Sequence, residues 1–193
     1  MAEEKPAQAD LITTANLLTF SRLILLPLVI AGIATNRGYL AAAAMAVLWV
    51  TDLLDGRIAR LMRQAGAFGK ALDSTVDFVL IYSLFIAFYA AGRLATYQFA
   101  VLYLSMLTIL FLRFLLTGAG RGDELPTTTL GKLTGSLQYL YLLFLVALEV
   151  LPKSRIASAL NIALFALLAS AIILNSLECI LRMRTLARGA ETS

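Results

Sequence analysis

The chain has 193 residues, of which 60% are hydrophobic and 15% charged, with a formal net charge of +4 at neutral pH. This balance excludes an ordinary soluble domain. The chain has no histidine and a single cysteine, Cys179, which excludes an intrachain disulfide, a Cys- or His-rich zinc site and the usual imidazole base.

Apolar runs recur along the whole length, and several approach the roughly 20 residues a helix needs to cross a hydrocarbon core. The expected fold is all-α: a polytopic membrane protein of six transmembrane helices with an N-terminal interfacial helix, forming a single membrane-embedded domain over residues 1–193. Uninterrupted apolar runs argue against barrel strands, which would alternate in character. Residues 1–9 read as a flexible tail. The first fifteen residues, MAEEKPAQADLITTA, are polar and partly acidic rather than a cleavable signal, so the first span is expected to stay in the mature protein. It would be entered through an interfacial helix starting near Asp10 or Thr13. The spans are expected at 17–35, 39–61, 71–91, 95–117, 133–151 and 156–181.

Six spans put both termini on one side of the membrane. Lys5, Arg22, Arg57, Arg60, Arg63, Lys70, Arg113, Arg121, Lys132, Arg182, Arg184 and Arg188 fall on that side, against Arg37, Arg93, Lys153 and Arg155 opposite. Twelve to four predicts cytoplasmic termini, in a bacterial-type cytoplasmic membrane. The charge suits anionic headgroups and phosphorylated substrates. No basic face lies outside the membrane, which argues against nucleic acid as a partner.

The densest charge lies in TDLLDGRIARLMRQAGAFGKALDSTVDFV, residues 51–79. Asp52 and Asp55 stand three residues apart at the end of one expected span; Asp73 and Asp77 stand four apart at the start of the next. Each spacing puts two carboxylates on one helix face. Gly56, Ala59 and Arg60 continue the Asp52 stripe, and Gly69 precedes Asp73 by one turn, so small residues beside the acids leave room for a bulky ligand. The link around Gly66 must reverse the chain, and the resulting hairpin can bring both carboxylate pairs together. Four clustered carboxylates in a partly apolar site need compensation. All-oxygen ligands point to hard divalent ions such as Mg²⁺, Mn²⁺ or Ca²⁺, and four acids suit a pair of ions roughly 4 Å apart, an arrangement common in phosphoryl chemistry. Arg60 would add a bidentate phosphate contact. For Arg63 and Lys70, plain solvation or topology suffices as an explanation. A proton or cation pathway is the rival reading, but it needs acids deeper in the bundle, and only Glu149 and Glu178 remain in or near spans.

The run Asp52-x2-Asp55-Gly56-x2-Ala59-Arg60-x8-Gly69-x3-Asp73-x3-Asp77 resembles, without gap or substitution, the signature of the CDP-alcohol phosphatidyltransferases. The resemblance implies transfer of a phosphatidyl group from CDP-diacylglycerol to a small polar alcohol with release of CMP, at a site holding two divalent cations, Mg²⁺ or Mn²⁺. It further implies that Asp52, Asp55, Asp73 and Asp77 bind metal, that Asp77 is also the general base, and that Gly56, Ala59, Arg60 and Gly69 line the CDP pocket. NLLTFSR, residues 16–22, is similar to the family's Asn-x2-Thr-x2-Arg element, which adds Asn16 and Thr19 as donor contacts. Some members carry Ser or Thr at the position of Gly66. The family also implies membrane lipids as surroundings and a homodimer as a partner state.

For the acceptor, LGKLTGSLQ, residues 130–138, is similar to the Gly-Lys-x5-Gln element of glycerophosphate-type members. Lys132, with Arg113 and Arg121, is therefore expected to bind the phosphate of glycerol 3-phosphate. Thr134 and Gly135 stand where those members often have Lys and Thr, and Phe114 where they often have Glu. LDSTVD around Asp73 is closer to inositol-phosphate-using members, which keeps that acceptor, or another polar alcohol, as the alternative. Positive-inside anchoring accounts equally well for Lys132 and Arg121.

Overall fold

The computed structural model describes residues 14–61, 67–118, 129–152 and 154–191; within its helices the side chains of 14–18, 55–61, 67–71, 112–113, 115–118 and 183–191 lie outside that description. The described residues form six α-helices: α1 (Thr14–Ala34), α2 (Gly38–Leu61), α3 (Ala67–Ala90), α4 (Thr96–Gly118), α5 (Thr129–Leu148) and α6 (Arg155–Glu191). The fold is all-helical, as expected. The expected tail at 1–9, the interfacial start near Asp10 or Thr13 and the Gly66 turn lie outside the described residues.

Among the described residues, three segments are long and apolar enough to cross a membrane: Leu72–Ala90, Thr129–Leu148 and Arg155–Arg182. The other three helices carry shorter apolar segments, Thr19–Ala34, Gly38–Leu54 and Thr96–Phe111. Helix is the form that lets such segments satisfy every backbone donor and acceptor without water. The outward side chains agree: Ile24, Tyr39 and Ile156 are each at least 78% exposed, which suits lipid and not water. The last helix departs from the expected 156–181. It continues to Glu191, 37 residues in all, because the polar stretch after Leu181 is still built mostly from good helix formers. At 1.5 Å per residue it is about 55 Å long, well beyond a hydrocarbon core of about 30 Å.

The chain forms two compact units, Met1–Ala87 and Phe88–Ser193. In the first, α1 buries Arg22, Leu26, Val29 and Ile33, a single stripe at helical spacing. On α2 the stripe is Ala41, Met45 and Leu48, continued by the half-buried Asp52; on α3 it is Leu80 and Leu84, preceded by the half-buried Asp73 and Asp77. The charged residues therefore extend the same faces that make the apolar core.

The turn between α1 and α2 takes three residues. Asn36 adopts a left-handed backbone (φ 56°), its amide donates to the Ile33 carbonyl (3.2 Å), and the Arg37 amide donates to that of Gly32 (2.8 Å). This is the paired closure of a helix C-terminus with an Asn in the strained position. Gly92 (φ 69°) ends α3 in the same way, with Gly92 donating to Tyr89 and Arg93 to Phe88.

In the second unit, α4, α5 and α6 are cross-linked by buried polar groups. The Gln98 side chain accepts from the Ala95 amide (3.0 Å), closing the first turn of α4, and its Nε2 donates to the Tyr141 hydroxyl (3.1 Å), which in turn donates to Asn161 Oδ1 (2.9 Å). Farther along the antiparallel α5–α6 pair, the Thr134 hydroxyl lies within hydrogen-bond distance of both the Leu130 carbonyl (2.8 Å) and that of Ala171 (3.3 Å). Interhelical bonds of this kind hold helices together where lipid offers no hydrophobic drive.

Candidate active site

At the end of the first unit that holds the start of α1, three helices bring four charged residues together. Arg22 of α1 donates through Nη1 to Asp52 Oδ1 (2.7 Å) and Asp77 Oδ1 (2.6 Å), and through Nη2 to Asp73 Oδ1. One guanidinium fork thus gathers carboxylates from α2 and α3. Its side chain is 2% exposed, whereas those of Asp52, Asp73 and Asp77 are 34%, 48% and 43% exposed. The arginine forms a buried floor, and the carboxylates open outward from it.

Each of the three aspartates offers an oxygen lying within 4.8 Å of the others, close enough to hold one metal ion. Three hard oxygen donors suit Mg²⁺ or Mn²⁺ and suit zinc or copper poorly, and partial exposure leaves room for a ligand to approach. The net charge of the four described groups is negative even with Arg22 counted, so a further cation is favoured there.

Asp73 and Asp77 stand one turn apart on α3, and Asp52 of α2 offers an oxygen within 4.8 Å of theirs. Asp55, Gly56, Ala59 and Arg60 lie in helical backbone of α2 and Gly69 in that of α3, but their side chains lie outside the described residues, as does that of Asn16. Thr19 is buried on α1, one turn before Arg22. In the second unit Lys132 is exposed on the first turn of α5. Thr134 and Gln138 of the same element are buried, and the Thr134 hydroxyl is engaged by helix carbonyls. The position at which related elements often carry a second lysine is therefore a helix-packing position here. The Arg113 side chain and all of Arg121 lie outside the described residues.

Sequence reasoning gave Arg22 no place among the acids. The available signal was its position: a lone arginine on the apolar stripe of residues 22, 26, 29 and 33 has to meet a counter-charge. The other acids near spans are already matched. Glu149 lies 3.0 Å from Arg93 Nε, and Glu178 lies 2.6 Å from Arg182 Nη2. A recess of about 390 Å³ in the second unit is lined by Arg93, Glu149, Ser158 and Asn161 among others, but its two charges neutralise each other.

Comparison with known proteins bears on this geometry. A family model described as CDP-alcohol phosphatidyltransferase matches residues 12–178, a stretch that includes every aspartate of the cluster. A protein of Mycobacterium tuberculosis named "Probable phosphatidylglycerophosphate synthase" is 29% identical over 174 residues, covering 86% of this chain and 78% of its own length; the same figures hold in two strains. A Drosophila melanogaster protein named "Probable cardiolipin synthase (CMP-forming)" is 37% identical over 86 residues, 44% of this chain. That match spans only 27% of the length of the fly protein.

Proposed function

The chain belongs to the CDP-alcohol phosphatidyltransferase family, a membrane-bound transferase family of phospholipid biosynthesis, and from that premise we propose that it moves a phosphatidyl group from CDP-diacylglycerol to glycerol 3-phosphate with release of CMP. The observation that carries the reading is the convergence of Asp52, Asp73 and Asp77 at one end of the first unit, within the stretch that the family model matches. Because that match runs across both compact units, the chain is taken as one functional domain, with six spans and with its termini and carboxylates on the cytoplasmic side. The excess of basic residues at that face supports the orientation.

Asp52, Asp73 and Asp77, with Asp55 from the next turn of α2, would hold two divalent ions, Mg²⁺ or Mn²⁺. Bound there, such ions would neutralise the donor diphosphate and the charge that develops on the departing CMP. Asp77 takes the proton of the acceptor hydroxyl as its oxygen attacks the phosphorus carrying diacylglycerol; the new P–O bond forms as the bond to CMP breaks. Gly56, Ala59, Arg60 and Gly69, together with Asn16 and Thr19, would receive the nucleotide. Lys132, Arg113 and Arg121 would receive the acceptor phosphate.

The 29% identity to proteins named phosphatidylglycerophosphate synthase and the Gly-Lys-x5-Gln element favour the glycerol 3-phosphate acceptor. The LDSTVD run favours inositol phosphate as the second candidate, and the name of the fly relative adds phosphatidylglycerol to the panel worth assaying. A transport pathway is disfavoured because Glu149 and Glu178, the other acids in or near spans, are paired with arginines.

The test is CMP release from CDP-diacylglycerol by purified protein with Mg²⁺ or Mn²⁺, across glycerol 3-phosphate, inositol phosphate and phosphatidylglycerol. Release is expected to be fastest with glycerol 3-phosphate. No release with any acceptor would sink the transferase reading.

A further inference from the structure

We infer that Arg22 is a positioning residue for the divalent-ion site: a fixed, buried cation that holds one oxygen of each carboxylate and leaves the other for the ligand. This rests on the proposed metal-dependent reading of the cluster. Three observations carry it. The bonds from Arg22 to Asp52, Asp73 and Asp77 all end on an Oδ1 atom, so this fork engages one oxygen of each of these carboxylates. The exposures are divided in the same sense, 2% for the arginine and 34–48% for the acids. Finally, Arg22 lies on the core-facing stripe with Leu26, Val29 and Ile33, so the packing that builds the core also fixes the guanidinium.

The alternative is that Arg22 stands in for the cation and is expelled when one binds. Its burial argues against this, since a displaced guanidinium would have to be accommodated elsewhere in an apolar core at high cost. Without the fork, three carboxylates on two helices repel one another and must be gathered by the ion itself. Groups that orient metal ligands in this way typically change metal affinity by about 10–100-fold when removed.

The experiment is a Mn²⁺ titration followed by electron paramagnetic resonance, with the full chain in nanodiscs of zwitterionic lipid and without donor or acceptor. Arg22→Gln should weaken Mn²⁺ binding by about tenfold or more while the metal-saturated protein keeps the helical content of wild type. Binding by Arg22→Gln that is equal to or tighter than wild type overturns the inference, and so does a failure of both proteins to bind Mn²⁺. If Arg22→Gln does not fold, Arg22→Lys is read instead; it keeps the charge without the planar fork and should bind several-fold more weakly than wild type, equal or tighter binding again being contrary. Because no substrate is present, a protein that releases no CMP would fail the transferase reading while leaving this readout intact.

Discussion

Gly32 of α1 and Ala41 of α2 lie backbone against backbone: a Cβ built on Gly32 would stand 2.6 Å from the Ala41 nitrogen and 2.9 Å from its Cα. Neither atom belongs to a side chain that could turn aside. The short turn closed by Asn36 depends on this contact, because it lets two helices meet within three residues of chain. Gly32→Val should therefore cost about 1–3 kcal/mol through forced separation of the helices. A lowered midpoint of thermal unfolding checks this. Gly135, with nothing within 4 Å of its would-be Cβ, is the control. Gly135→Ala should leave the midpoint unchanged or raise it, since alanine is the better helix former by up to about 1 kcal/mol.

Asp77→Asn keeps the size of the side chain and one oxygen toward Arg22 but removes the base. Turnover should fall by roughly 10²–10⁴-fold, with binding of CDP-diacylglycerol partly retained. Steady-state CMP release, read beside donor binding to the same preparation, separates the two effects. Normal turnover would remove Asp77 from the role of base.

Lys132 is exposed on the first turn of α5, so its removal should leave stability unchanged. If it binds the acceptor phosphate, Lys132→Ala should raise the acceptor KM by roughly tenfold to a hundredfold, the worth of one charge-assisted hydrogen bond, with little change in the donor KM. Equal effects on both constants would assign the lysine to membrane anchoring instead.

The Tyr141 hydroxyl joins Gln98 to Asn161 and so couples α4, α5 and α6. Tyr141→Phe should destabilise by about 1 kcal/mol. A double-mutant cycle with Gln98→Leu should show a coupling of about 0.6 kcal/mol, the average for interhelical bonds in a bilayer, and zero coupling would mean that the bond contributes nothing.

The helices and the acid cluster were legible for the same reason: both depend on spacing along one element. Apolar runs near 20 residues become helices because lipid allows the backbone little else, and Asp73 and Asp77 share a face because four residues make one turn. The partner of Arg22 was not legible. The described carboxylates that Arg22 meets lie 30, 51 and 55 residues away, and only the packing of α1 against its neighbours selects them. Gln98, Tyr141 and Asn161 stayed hidden for a similar reason, each being unremarked in its own span and meaningful only across three helices. The overrun of α6 to Glu191 has another cause: hydropathy marks where lipid ends, whereas a helix stops only where its backbone meets a reason to stop.

The arginine floor also bears on how the chain is made. As α1 leaves the ribosome, Arg22 stands near the start of its apolar segment and none of the three carboxylates of the cluster has yet been synthesised. Asp52 follows with α2, and Asp73 and Asp77 only with α3. The full set of contacts around Arg22 can therefore form only after α3 has been made, so the last bonds of the first helix wait on the third.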